Sequence, residues 1–166
     1  MKLKVQPLTA QDFAPFGEIV TLPQHRQPTG SLEGLDFWAD LVPLQNIGAP
    51  YGVGYATLDK RPWLQTCAER HMQTQELLHA IGGDMIVVVG PPDYPDEPNR
   101  LPPMESFRAF RVPAGDTVIM KPGVWHWAPF AAGGPMRLLV IYKANTGQTD
   151  VGYADFPPGK ALELEF

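Results

Sequence analysis

The residues best equipped for chemistry fall in two short segments. The first reads Cys67-Ala68-Glu69-Arg70-His71-Met72-Gln73-Thr74-Gln75-Glu76. In an extended strand successive side chains point to opposite faces, so Glu69, His71, Gln73 and Gln75 share one side. A row of carboxylate, imidazole and amides is poor core material, because each polar group buried without a partner costs about 1–3 kcal/mol. The row either lines a polar cavity or meets solvent while Ala68 and Met72 point inward. The second segment runs from Gly115 to His126: a turn launches a strand, Pro122-Gly123 makes a corner, and His126 opens the next strand between Trp125 and Trp127. Imidazole has an ordinary pKa of about 6.5, so either histidine can take or give a proton at neutral pH.

The elements that must position these groups are short and β-rich. Strands are expected over 18–22, 35–41, 52–58, 67–72, 84–89, 106–112, 117–121, 125–130 and 136–143. Each is rich in branched or aromatic residues and bounded by Gly, Pro or Asp. One helix is expected after Thr9, which can cap it while Asp12 answers from the third position and Gly17 ends it after two turns. Pro113 to Asp116 reads as a tight turn, Gly133-Gly134-Pro135 as a hairpin connection, and the proline-rich stretch from Pro91 to Pro103 as a surface excursion. The tail from Ala161 to Phe166 alternates apolar and acidic residues and is expected to add an edge strand. Many short antiparallel strands without long helices imply a β-sandwich or barrel.

Composition narrows the function classes. Of 166 residues, 16 are glycine and 19 proline, which excludes a helix bundle or coiled coil. Hydrophobic residues make up 44%, enough for a packed core rather than a disordered chain. A net charge of −5 with scattered Lys and Arg offers no footprint for nucleic acid. The single Cys67 suits a reducing compartment. The stretch from Met1 to Pro7 lacks the apolar run of a signal peptide, and the apolar run from Met85 to Val89 is too short to span a bilayer. A cytoplasmic protein without membrane contact is the expectation.

Together the two segments resemble the paired motifs of the cupin superfamily. Gly115, Gly123 and His126 stand in the register of the second motif, with its proline one place late at Pro122. His71, Gln73, Glu76 and Gly83 approximate the first, with Gln73 where a second histidine is usual and Glu76 one residue early. A closer resemblance covers most of the chain. The opening Val5-Gln6-Pro7-Leu8-Thr9, Phe13 and Phe16-Gly17-Glu18-Ile19-Val20 is similar to the start of the ureidoglycolate lyase family. So are Glu69-Arg70-His71 with Gln75, the run from Asp84 to Val89, and Trp125-His126. The chain departs from that family's usual pattern at Met72, Trp127 and Tyr142-Lys143.

The resemblance implies an all-β fold: one cupin-like double-stranded β-helix over 1–166 with a short N-terminal helix. It also implies a homodimer and a carbon–nitrogen lyase that splits a ureido acid, ureidoglycolate, into glyoxylate and urea during allantoin breakdown. Its site residues would be His71 and His126 as acid and base in either order, and Gln75 on the ureido group. Arg70 either meets the substrate carboxylate or braces the barrel or a dimer contact. Lys143 and Lys121 are the other cations. Glu69 either orients a histidine or pairs with an arginine. No cofactor is expected for this reaction, although a divalent metal is possible. In the competing reading His71, Glu76 and His126 hold a metal ion in an oxygenase or isomerase. A third reading is a non-catalytic barrel that binds a small carboxylate.

Overall fold

The apolar runs become strands in the computed structural model, which describes residues 1–23 and 25–166. In chain order the strands are β1 (Lys2–Pro7), β2 (Gly17–Val20), β3 (Gly30–Leu32), β4 (Leu35–Phe37), β5 (Tyr51–Leu58), β6 (Leu64–Gln65), β7 (Cys67–Arg70) and β8 (Glu76–Ile81). They continue with β9 (Met85–Gly90), β10 (Arg108–Val112), β11 (Thr117–Met120), β12 (Trp125–His126), β13 (Phe130–Ala131), β14 (Met136–Lys143), β15 (Gly152–Asp155) and β16 (Leu162–Glu165). Two single-turn helices, α1 (Ala10–Phe13) and α2 (Thr146–Thr149), accompany them. Among the described residues no helix is long and apolar enough to cross a membrane.

Two curled sheets carry the architecture, the all-β arrangement expected. One has the order β15-β7-β12-β9-β10-β1-β16-β6, with β13 also on β9; the other runs β2-β11-β8-β14-β5. Strand β9 is buried along its whole length and explains the layering. Its Met85, Val87 and Val89 join the core between the sheets, with Phe13, Leu78, Phe110, Val118 and Leu138. Its Ile86 and Val88 face a second cluster on the outer side, built from Phe107, Trp125, Phe130, Phe156, Leu162 and Leu164.

Several local expectations change. Helix α1 is capped by Thr9 as foreseen, its Oγ1 accepting from Asp12 N–H at 3.1 Å, but it lasts one turn and ends at Ala14. Gly17 instead begins β2, where a Cβ would lie 2.0 Å from the Ile119 carbonyl oxygen. Strand β1 pairs parallel with both β10 and β16, so the larger sheet is mixed. The tail strand β16 is flanked on both sides, by β1 and by the two-residue β6, and is not an edge. Gly133-Gly134-Pro135 is no hairpin turn, because β13 lies in one sheet and β14 in the other. The stretch 125–130 splits into β12 and β13, and the strand at 67–72 ends at Arg70.

Candidate active site

The two chemical segments meet where the sheets face each other. Strand β12 pairs antiparallel with β7 and sets His126 beside Glu69. Strand β8 lies in the opposite sheet, and its alternating burial turns Glu76 inward with Leu78 and Ala80. His71 follows β7 directly, and its carbonyl accepts the N–H of Gly123 at 2.7 Å. That bond ties the Pro122-Gly123 corner to the first histidine. Gly123 has φ +81°, and a Cβ there would press to 3.2 Å from Pro92, so both backbone shape and space favour glycine. The imidazole rings of His71 and His126 end 5.2 Å apart, edge to face, and both side chains are buried.

Hydrogen bonds assign the ring protons. His71 Nδ1 sits 2.7 Å from the Asp150 carbonyl oxygen, and His126 Nδ1 sits 3.0 Å from the Val124 carbonyl oxygen. A carbonyl only accepts, so each Nδ1 carries a proton and each Nε2 is the working atom. Between the two Nε2 atoms stands Glu76: its Oε2 is 2.8 Å from His126 and 3.7 Å from His71. The His126 Nε2–Oε2 contact is close but off the line of a good hydrogen bond, and both atoms are buried without another partner among the described residues. Two bare lone pairs at that distance would repel, so the Glu76–His126 pair must share a proton or a cation.

The electrostatics agree. Burial opposes a charge on His126, but the Glu76 carboxylate outweighs it and raises the imidazole pKa to about 9. Burial likewise works to raise the Glu76 carboxyl, and the charge and hydrogen bond of His126 work against it, leaving the carboxyl below its ordinary value. A carboxylate oxygen of Glu69 and one nitrogen from each histidine lie within 4.8 Å of one another. Two imidazoles and two carboxylates suit a divalent metal ion, so this donor set fits a metal as well as a proton.

A cavity of about 170 Å³ opens beside this cluster. Glu69, Glu76 and His126 form its polar wall, while Ala56, Leu58, Leu78, Leu138 and Val140 form an apolar wall closed by Trp127, Ala128 and Pro129. The remaining residues expected at the site lie elsewhere. Arg70 is fully buried and points away from His71. Its guanidinium donates to the carbonyls of Asp93, Tyr94, Glu97 and Pro98 at 2.7–3.1 Å and stacks over Trp125. It therefore clasps the proline-rich excursion. Gln75 accepts the Asn46 N–H at 2.9 Å and lines a separate cavity of about 290 Å³ with Glu18 and Lys121. Lys143 bonds Gln73 at 3.1 Å, on the face of β14 opposite the cavity-lining Leu138 and Val140. Lys121 donates to the Ala14 carbonyl at 2.6 Å.

Sequence reasoning missed Asp150. Its carboxylate accepts the N–H groups of Met72 and Gln73 at 2.9 and 2.7 Å, while its carbonyl fixes the His71 ring. Nothing near Asp150 in the chain signals this role.

The ureidoglycolate lyase family model matches residues 1–163. The chain belongs to the ureidoglycolate lyase family. It is 28% identical over 152 residues to the ureidoglycolate lyase of Rhodobacter capsulatus, covering 88% of this chain and 89% of that protein. Among solved structures it is similar to oxalate decarboxylase from Bacillus subtilis, in a study of that enzyme's Mn(II) centres and in a structure at pH 4.6. Each match has a TM-score of 0.40 and 20% identity over 56% of this chain. The chain spans about a fifth of the length of those structures, 21%. Membership of the ureidoglycolate lyase family makes this protein an enzyme of a lyase family.

Proposed function

We propose that the protein cleaves ureidoglycolate to glyoxylate and urea by acid–base elimination, as a carbon–nitrogen lyase of allantoin breakdown. Ureidoglycolate carries a hydroxyl, a carboxylate and a urea nitrogen on one carbon. His71 Nε2, 3.7 Å from Glu76 and oriented by the Nδ1–H bond to the Asp150 carbonyl, takes the hydroxyl proton. The O–H electron pair becomes the C=O bond as the C–N bond breaks. The departing nitrogen receives the electron pair and the proton from His126 Nε2. Glu76, in reach of both Nε2 atoms, returns the proton from His71 to His126 and resets the site. Acid and base assistance are each worth about 10²–10⁴-fold.

The observation that carries this reading is the matched pair of Nδ1–H···carbonyl bonds, which aims the Nε2 atoms of both histidines at the same carboxylate. The test is to follow glyoxylate release from ureidoglycolate at several pH values against its spontaneous decay. Release no faster than that decay sinks the proposal.

The convergence of Glu69, His71, Glu76 and His126 favours one alternative. These residues would hold a divalent cation, which when bound acts as a Lewis acid on a substrate oxygen. In that case Glu76 and His126 serve as ligands rather than as proton carriers. Stoichiometric metal in protein purified without an affinity tag, lost in His126→Ala, supports this alternative.

A homodimer is part of the proposal. Strand β5 is an eight-residue sheet edge without a charged residue, and it exposes Tyr51, Val53 and Tyr55. Such an edge invites pairing unless it is covered, and a second copy of the chain is the occupant we assign. We also assign the enzyme to the cytoplasm, on the strength of the lone Cys67, which is buried and free.

A further inference from the structure

We propose that the Glu69 carboxylate receives the ureido group of the substrate, an inference that rests on the ureido-acid reading above. A ureido group carries two N–H bonds that point the same way, one on its inner nitrogen and one on its terminal nitrogen. Their spacing matches the two oxygens of a carboxylate, a group that only accepts. Gln75, which the resemblance set on the ureido group, lies at the separate cavity, so the acceptor must be another side chain.

The cavity wall offers few acceptors. Besides Glu69, Glu76 and His126, its side chains are apolar or, in Trp127, donate only. Glu76 and His126 already face each other at 2.8 Å. Glu69 is half-buried, and among the described residues no donor bonds its carboxylate. The groups nearest it along the sheet are turned to other partners. Tyr153, opposite it on β15, donates to Asp155 at 2.7 Å, and Arg70 donates to the proline-rich segment. On its other side His126 is its direct cross-strand partner, so the two side chains project to one face. A Glu69 oxygen and one nitrogen of each histidine lie within 4.8 Å of one another. A ureido group held there sets its inner nitrogen, the departing atom, beside the imidazole that protonates it. The carboxylate also pushes electron density onto that nitrogen, which makes it easier to protonate.

The experiment measures binding of two unreactive probes to wild type, Glu69→Gln and Glu69→Asp by titration calorimetry. Ureidoacetate is the substrate without its hydroxyl; N-acetylglycine has the same shape and charge, with a methyl group in place of the terminal amino group. Wild type should prefer ureidoacetate by about ten- to a hundredfold, the worth of a hydrogen bond to a charged group. Glu69→Gln should bring that ratio near one, because its own amide donor faces a ligand N–H. Glu69→Asp, which keeps both oxygens, should recover part of the preference, and thermal melts check the folding of both variants. A merely structural or metal-holding role would weaken both probes alike. A ratio near one in wild type, or one unchanged in Glu69→Gln, overturns the proposal. A Glu69-dependent preference in a protein that releases no glyoxylate from ureidoglycolate upholds this inference and sinks the lyase reading. Glyoxylate release with a ratio indifferent to Glu69 does the reverse.

Discussion

Replacing Glu76 with glutamine removes the charge that holds the His126 proton, and with it the carboxylate that returns the proton from His71. In the wild type the carboxylate lifts the buried imidazole to about 9. Without it only burial and the weaker distant charges remain, so the pKa falls to its ordinary value of about 6.5 or lower. At pH 8 the protonated fraction then drops from about nine-tenths to about 3%, roughly a thirtyfold loss of the acid form. At pH 6 wild-type His126 is almost fully protonated and the variant's at most about three-quarters so, and the deficit is smaller than at pH 8. The assay is kcat for ureidoglycolate cleavage across pH 5.5 to 9.5 in both proteins. The alkaline limb should move from about pH 9 to pH 6.5 or below. A Glu76→Gln profile parallel to the wild type would refute the assignment of His126 as acid.

The same shifts govern stability. The raised His126 value gives a contribution that is full below about pH 6.5 and lost as pH rises through about 9. The depressed Glu76 value gives one present above its ordinary range and lost as pH falls through the lowered value, so denaturant melts should show the Glu76→Gln deficit greatest near neutrality. Asp150→Asn weakens the anchor of the Met72 and Gln73 N–H groups and should lower kcat about 10–100-fold, the usual effect of a supporting group on a site residue, with little change in Tm. Arg70→Met leaves four carbonyls of the proline-rich segment without their donor and should cost about 3 kcal/mol or more, read as a lower denaturation midpoint. Val53→Lys puts a charge on the exposed β5 edge and should turn a dimer into a monomer in sedimentation.

What the sequence could reveal follows from where each constraint resides. His71 and His126 were legible because each sits in a recognisable local pattern, and β7, β12 and the Gly123 corner bring those patterns together. Gln75 was expected on the His71 face because alternation was carried past Arg70. The strand in fact stops there, since the Met72 and Gln73 N–H groups bond the Asp150 side chain instead of a neighbouring strand. The same alternation rightly set Arg70 on the opposite side from His71, but the carbonyls it meets belong to a segment more than twenty residues away in sequence. Strand β8 escaped notice because its outward Leu77 and Ile81 are as apolar as its inward Leu78 and Ala80, which hides the period of two. Glu76 therefore stood out only as a metal ligand, and its place between two histidines came from strand pairing across the sheet. Asp150 acts through the backbone amides of Met72 and Gln73 and through its own carbonyl, contacts that carry no residue-type signature.

The arrangement of protons in the cluster is the most direct point of attack. Nitrogen-15 spectra of the histidine rings at pH 7.5 report which ring nitrogens are protonated. The account requires His126 to carry protons on both nitrogens and His71 to carry one on Nδ1 alone. A neutral His126 at that pH, or a proton on His71 Nε2, would contradict it.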